Sequence, residues 1–398
     1  MIKRIAALML CLVAAPACSL VFGGALTPTA LPSPTVAQPT ALPTPSSTPA
    51  PALDPQAIWV GVEGIGDLVM VVNANGATQA VRLPLNEGQH ASFVVASRDG
   101  RYVAYLVLNA DGTPRGIAAW NPGEPNARLV ARPLEGYRII GLYLADDSSG
   151  LAVVQVSAED RLEDADWRID RIPPQGGELQ LIASRQMLDG APPLLPFAWP
   201  SQGPLLLVPA GVQSTTAAIY AVNPQTGGGR LLLAPQGRLV GTPTLSPDGA
   251  HLAYLTAEGE GSAATAVCIH SLRLDETMTL PAPPGLFIYG LRWLPDGEHL
   301  LLDVGASPLE DATQRDQLWA LAAPDPNAPW VQSPPQVGRV FFDFEPYGAG
   351  VIYTTAPLDG EPWTLTILPD LQGAGEPLVI PLEALSGSDG LPAIIYTP

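Results

Sequence analysis

The feature that most constrains this chain is a unit that recurs about every 49 residues from Ala57 onward. Its clearest copy is Leu245-Ser-Pro-Asp248-Gly249-Ala-His251-Leu-Ala-Tyr254. Two more copies are Leu294-Pro-Asp296-Gly297-Glu-His299 and Ala96-Ser-Arg-Asp99-Gly100-Arg-Tyr102. Degenerate copies centre on Asp147, Gln202 and Tyr347, so successive markers lie 48, 55, 46, 48 and 51 residues apart. Asp-Gly supplies the pair that tolerates the left-handed backbone of a tight turn, and the apolar run behind it reads as a buried strand. Further on in each unit come a second strand, such as Ile117–Trp120, a polar turn, and a third strand, such as Ala127–Val130. No helical period extends over ten residues beyond the first segment of the chain.

An all-β repeat of this length cannot bury both faces alone, and stacking into a ring of four-stranded antiparallel blades solves that problem. The units resemble the WD40-like PD40 repeats of the TolB-type propeller family, whose hallmark is Ser-Pro-Asp-Gly before a short apolar strand. The intact motif stands at Ser246–Gly249, Leu294–Gly297 keeps Pro-Asp-Gly, and the likeness covers nearly all of 57–398. It implies a β-propeller and leaves function open. Residues Ile58–Leu83 hold the later part of a unit without its beginning, while Ser388-Asp389-Gly390 and Ile394-Ile395-Tyr396 supply a beginning without a later part. Pairing of the N- and C-terminal strands would close the ring and hide an open edge. The expected count is seven blades, with six as the alternative.

The first 56 residues belong to another class. Met1–Arg4 is positive, Ile5–Ala15 is apolar, and Ala15-Pro16-Ala17 precedes Cys18. This is the layout of a secretory signal peptide, too short to span a membrane. It resembles a bacterial lipoprotein signal, which implies cleavage after residue 17 and acylation of Cys18; Ala15-Pro16-Ala17 also fits ordinary secretion. Residues 18–56, rich in Pro, Thr and Ser, lack the apolar content to offset ordering entropy and read as a disordered stalk. The expected organisation is therefore signal peptide 1–17, lipidated linker 18–56 and propeller 57–398, with an extracytoplasmic head, monomeric and tethered to a membrane.

Composition narrows the partners. With 19 Lys+Arg against 38 Asp+Glu, the formal net charge is −19, which repels phosphate backbones and disfavours nucleic acid. Catalytic motifs are missing from the sequence: there is no Cys-x-x-Cys, no His-Glu-x-x-His and no Gly-x-Ser-x-Gly. His251 and His299 share one repeat position, so their spacing reflects the fold. Cys268, in an apolar run, reads as a small buried hydrophobe. The recurring tryptophans (Trp120, Trp319 and Trp363 at one place, Trp199 and Trp293 at another) read as packing between blades.

Acidic clusters are the remaining lead. Glu159, Asp160, Glu163, Asp164 and Asp166 form one, in an oversize loop at 156–167. Asp303, Glu310, Asp311 and Asp316 form the other, around a loop at 305–317. A solvated rim is the plain reading; as a candidate recognition surface, such loops suit a protein or glycan partner. No cofactor is expected, apart from Ca²⁺ that oxygen-rich loops can hold. Two functions follow: a binding or scaffold module for a protein, peptide or polysaccharide, or a hydrolase or lyase whose site is assembled at the central channel.

Overall fold

A computed structural model describes residues 57–398 apart from 63–64, 74–75, 159, 163, 211–217, 258–262, 307–314, 323–330, 333–338, 348–349, 358–361, 370–375, 384, 386–391 and 397–398. At 315–322, 331–332, 339–342, 356–357 and 396 it describes the backbone alone. The chain divides into Met1–Thr48 and Pro49–Pro398, and everything described belongs to the second unit.

Each intact repeat builds one turn in the same way. Gly100, Gly249 and Gly297 take φ of 68°, 69° and 68°. The Asp before each glycine bends back: Asp99, Asp248 and Asp296 accept backbone N–H bonds from Arg101, Ala250 and Glu298. Ser97 and Ser246 add a hydroxyl bond to the same carboxylates. The turn joins a first strand to a second. The second strand is buried on both faces, which is why it reads as an unbroken apolar run: Val103–Leu108 is buried throughout. Fourth strands such as Thr78–Arg82 and Gly229–Leu233 are mostly exposed.

The described strands form seven hydrogen-bonded antiparallel sheets. Blade 1 runs, from the inside out, through Pro392–Tyr396, Ile58–Val62, Leu68–Val72 and Thr78–Arg82. The innermost strands of blades 2 to 7 are His90–Ala96, Tyr137–Leu144, Leu194–Ala198, Arg238–Leu245, Phe287–Trp293 and Arg339–Tyr347. Blade 2 carries a fifth short strand, Ile65–Gly66, against its inner edge at Ser92 and Ala91. Neighbouring inner strands touch all the way round, including blade 7 to blade 1 and blade 1 to blade 2. Apolar clusters fill the junctions, such as Trp167 with Trp199 between blades 3 and 4. Ile58 packs with Ile352 between blades 1 and 7. The fold is a closed all-β propeller.

The terminal strand pairs with the beginning of the chain as expected, Val60 opposite Ile394 and Val62 opposite Pro392. Its place is the innermost strand of blade 1, whereas the Asp-Gly marker elsewhere precedes the second strand. Ser388-Asp389-Gly390 is therefore no register equivalent of the marker, and it lies outside the described residues. The marker of blade 7 is also tighter than its spacing suggested: the hairpin already closes at Tyr347 opposite Gly350.

Packing accounts for several residues that could have carried chemistry. Trp59 and Trp120 pack at a tilt with centroids 6.2 Å apart across blades 1 and 2, and His251 stands 6.2 Å from Trp293 across blades 5 and 6. Cys268 is buried in the third strand of blade 5, within 3.6 Å of the Thr256 and Thr279 hydroxyls.

Candidate functional site in the central channel

The acidic loops divide between the two expectations. Asp160, Asp164 and Asp166 sit in the exposed connection between the second and third strands of blade 3. Asp166 accepts the Tyr137 hydroxyl at 3.0 Å, which raises that phenol's pKa, and Asp160 accepts the Ser157 hydroxyl. Glu159, Glu163, Glu310 and Asp311 lie outside the described residues. Asp303 does not belong to a loop: it is fully buried in the strand His299–Gly305, opposite Gly290, because the apolar second strand continues through it. Asp316 likewise belongs to the strand Arg315–Ala322. Among the described residues, no group of three or more His, Cys, Asp or Glu side chains is gathered to hold a metal. Also among the described residues, no helix is long and apolar enough to cross a membrane.

The structure gathers a different set of charges, near the turn-bearing end of the channel. Hairpins of blades 2, 3, 5 and 6 close at Ala96–Val103, Leu144–Leu151, Leu245–Leu252 and Trp293–Leu300. One pair further in, Val95, Tyr143, Thr244 and Arg292 stand at one height on their inner strands. On blade 7 the adjacent inner strand places Asp343 and Glu345 two residues apart, hence on one face. Arg292 Nε donates to Glu345 Oε1 at 2.7 Å, its Nη2 lies 3.8 Å from Asp343 Oδ1, and its Nη1 donates to the Leu291 carbonyl. The guanidinium carbon stands 5.5 Å above the Phe344 ring centre, a cation–π contact across blades 6 and 7.

Asp343 faces two ways. Its Oδ2 accepts the Ile394 N–H of the closing strand at 2.9 Å, and its Oδ1 accepts the Phe344 N–H at 2.9 Å. Thr354 completes the junction by donating to the Pro392 carbonyl at 3.1 Å while accepting the Asp343 N–H. Burial lifts the Asp343 carboxyl to about 6, against the pull of Arg292 and with the repulsion of Glu345 behind it. For Arg292, burial pulls the other way, but Glu345 and Asp343 together outweigh it and raise the guanidinium's affinity for its proton. The side chains of Arg292, Asp343 and Glu345 remain 30, 24 and 29 % exposed, so solvent in the channel reaches all three.

Tyr143 approaches from the far side. It belongs to blade 3 and stands at the same register height as Arg292 on its own inner strand. Burial raises this phenol's pKa strongly, and its O–H donates to the Phe197 carbonyl of blade 4 at 3.1 Å. Burial lifts the nearby Asp146 carboxyl, with Arg98 pulling the other way. Chemically, the site offers a guanidinium that a ligand's anion can reach and a carboxyl that exchanges its proton near pH 6.

None of these residues stood out from the repeat pattern. A signal existed: Arg292, Asp343 and Glu345 are charges inside first strands that are otherwise largely apolar, and charges are rarely buried unless paired. Which strands would face one another, however, depends on ring order.

No family model matches the sequence, and no curated protein matches it. Solved structures do match in fold. An oligogalacturonate lyase in complex with manganese has a TM-score of 0.54 at 14% identity, over 80% of this chain and 84% of that one. An oligogalacturonate lyase from Vibrio parahaemolyticus gives 0.52 at 13% identity, over 76% and 89%. A prolyl endopeptidase structure gives 0.56 at 14% identity, over 82% of this chain and 50% of that one. At such identities the likeness is one of fold alone, and the class it defines is the β-propeller.

Proposed function

We propose that this chain is an extracytoplasmic binding propeller, carried on a Pro-rich stalk (18–56) from a lipidated Cys18, that receives a protein, peptide or polysaccharide ligand at the turn-bearing end of its channel. The observation that carries the binding reading is Arg292: a guanidinium held by Glu345 and Asp343 yet 30 % exposed, so an incoming carboxylate can join or replace its partners. The test is retention of a defined panel of acidic glycans and peptides on the immobilised full chain. A panel member held by the wild type and released at least tenfold faster by Arg292→Gln supports the reading. Equal retention by both proteins, or none by either, overturns it.

The anchor has its own test. Labelling with a palmitate analogue should mark the wild type and leave Cys18→Ala unmarked; equal labelling would remove the tether from the proposal.

A second reading is favoured by the Asp343 carboxyl at about 6, a value suited to proton transfer near neutral pH. On that reading the channel is a lyase or hydrolase site with Asp343 as general base or acid. Oligogalacturonate and proline-containing peptides, taken from the chemistry named for the fold neighbours, are the substrates to try, with and without Mn²⁺. Turnover by the wild type that Asp343→Asn abolishes would favour the enzyme.

A further inference from the structure

Two junctions of the ring are tied at their rim by one side chain at one register place. Arg128 of blade 2 donates from Nη1 to the Gln175 carbonyl of blade 3 at 2.7 Å. Gln180 of blade 3 donates from Nε2 to the Gln225 carbonyl of blade 4 at 2.9 Å. Both tethers start opposite the penultimate residue of the third strand, Arg128 opposite Ala119 and Gln180 opposite Arg171. Both end in the turn between the third and fourth strands of the next blade.

Arg230 holds the same place in blade 4, opposite Ala221. It is exposed, and it has no hydrogen-bond or ion-pair partner among the described residues. Where the tether would lie there is an open groove. One part, about 740 Å³, lies over blade 4 beside Ser201, Gln202, Asn223, Gln225 and Arg230. The adjoining part, about 400 Å³, lies between blades 4 and 5 and is walled by Leu206, Leu232, Leu245 and Leu272.

The chemistry of this groove is specific. Acids outnumber bases two to one in the chain, 38 to 19, yet among the described residues no carboxylate meets Arg230. Asp248, which lines the wall, is turned to the Ser246 hydroxyl and the Ala250 N–H. Asn223 uses its carbonyl oxygen on the Gln225 and Thr226 N–H groups, which leaves its NH₂ to donate. Among the described residues, a guanidinium without a partner therefore stands between an amide-lined shelf and a leucine-lined slot. Guanidinium pairs with carboxylate through two parallel bonds, and backbone and amide groups suit peptide recognition.

We propose that the groove between blades 4 and 5 binds the end of a peptide in which a carboxylate stands next to an apolar side chain. Arg230 receives the carboxylate, the slot of Leu232, Leu245 and Leu272 takes the side chain, and the amides of Asn223 and Gln225 meet the peptide groups. The groove shares no residue with the channel cluster, and the inference does not depend on that site.

The probe is N-acetyl-Ala-Ala-Leu with a free C-terminus, titrated into the full chain by calorimetry and compared with the same peptide as its C-terminal amide. Saturable binding of the acid, with at least tenfold weaker binding of the amide, is expected. Arg230→Gln, an exposed change that leaves the core intact, should cost the acid the same factor and leave the amide unmoved. Arg115→Gln, an exposed arginine on blade 2, should change neither. Absence of binding, equal binding of acid and amide, or full binding to Arg230→Gln would each overturn the proposal.

Discussion

At the scale of single residues, the turn glycines and Asp343 carry the sharpest consequences. A Cβ added at Gly249 would meet nothing within 4 Å, so its substitution isolates the left-handed backbone from packing. Gly249→Ala should destabilise the propeller by about 1–2 kcal/mol, read from denaturant midpoints at constant slope. Blade 3 shows what a compensated case looks like: Ser148 takes φ of 60° at the matching place, with its hydroxyl bonded to Asp99 of blade 2. Asp343 makes a prediction in pH. Its folded carboxyl, at about 6, binds a proton more tightly than the ordinary value of 3.8. The native state then carries more protons than the unfolded chain between roughly pH 4 and 6, so this group's contribution to stability falls as pH rises through that window. The drop should amount to about 1–3 kcal/mol, and Asp343→Asn should abolish it while keeping an acceptor for Ile394 N–H. A stability–pH curve for the variant that runs parallel to the wild type across pH 4–6 would refute the assignment.

At the scale of elements, the closing strand is held by more than its ladder. Thr354 is fully buried and bridges Asp343 N–H to the Pro392 carbonyl. Thr354→Val keeps the shape and strands two backbone groups, which should cost about 2–4 kcal/mol in thermal or chemical unfolding. The same strand shows where reading a sequence reaches its limit. Asp-Gly turns, apolar second strands and the terminal pairing were legible because each follows from local residue chemistry: the αL glycine, burial on both faces, and an otherwise open edge. The place of the last strand within its blade was not, because Ser388-Asp389-Gly390 copies the letters of the marker without its register. Asp303 was misplaced for a related reason, since a carboxylate in a run of leucines looks like the start of a loop. Arg292, Asp343 and Glu345 were invisible as a set: residues from blades 6 and 7 meet only when those blades stand side by side. Arg230 was hidden for the opposite reason, because its meaning lies in a tether that Arg128 and Gln180 make at two junctions and that it does not make.

At the scale of the whole molecule, the ring makes topology and stability separable. Blade 1 is built from both ends of the described chain, one strand from the C-terminal side and three from the N-terminal side. A circular permutant that joins the present ends through a flexible linker and opens at the Asp248–Ala250 turn reproduces that division in blade 5. It should melt cooperatively within a few degrees of the parent. A permutant opened between blades 5 and 6, at residues 283–285, keeps every sheet contiguous and leaves only side-chain packing to shut the ring. It should melt earlier by about 4 °C or more, a shift that corresponds to roughly 2 kcal/mol or more for a protein of this size. Equal melting of the two permutants would mean that the two-ended blade adds nothing.

The innermost strand of blade 1 is also the last of the described strands to be synthesised. Until the ribosome has made it, blade 1 lacks its lumen-facing edge, and Asp343 has no Ile394 N–H to hold. The ring can therefore stay unlocked until that strand emerges. On the export proposed above, the chain would cross a membrane as a thread and shut afterwards.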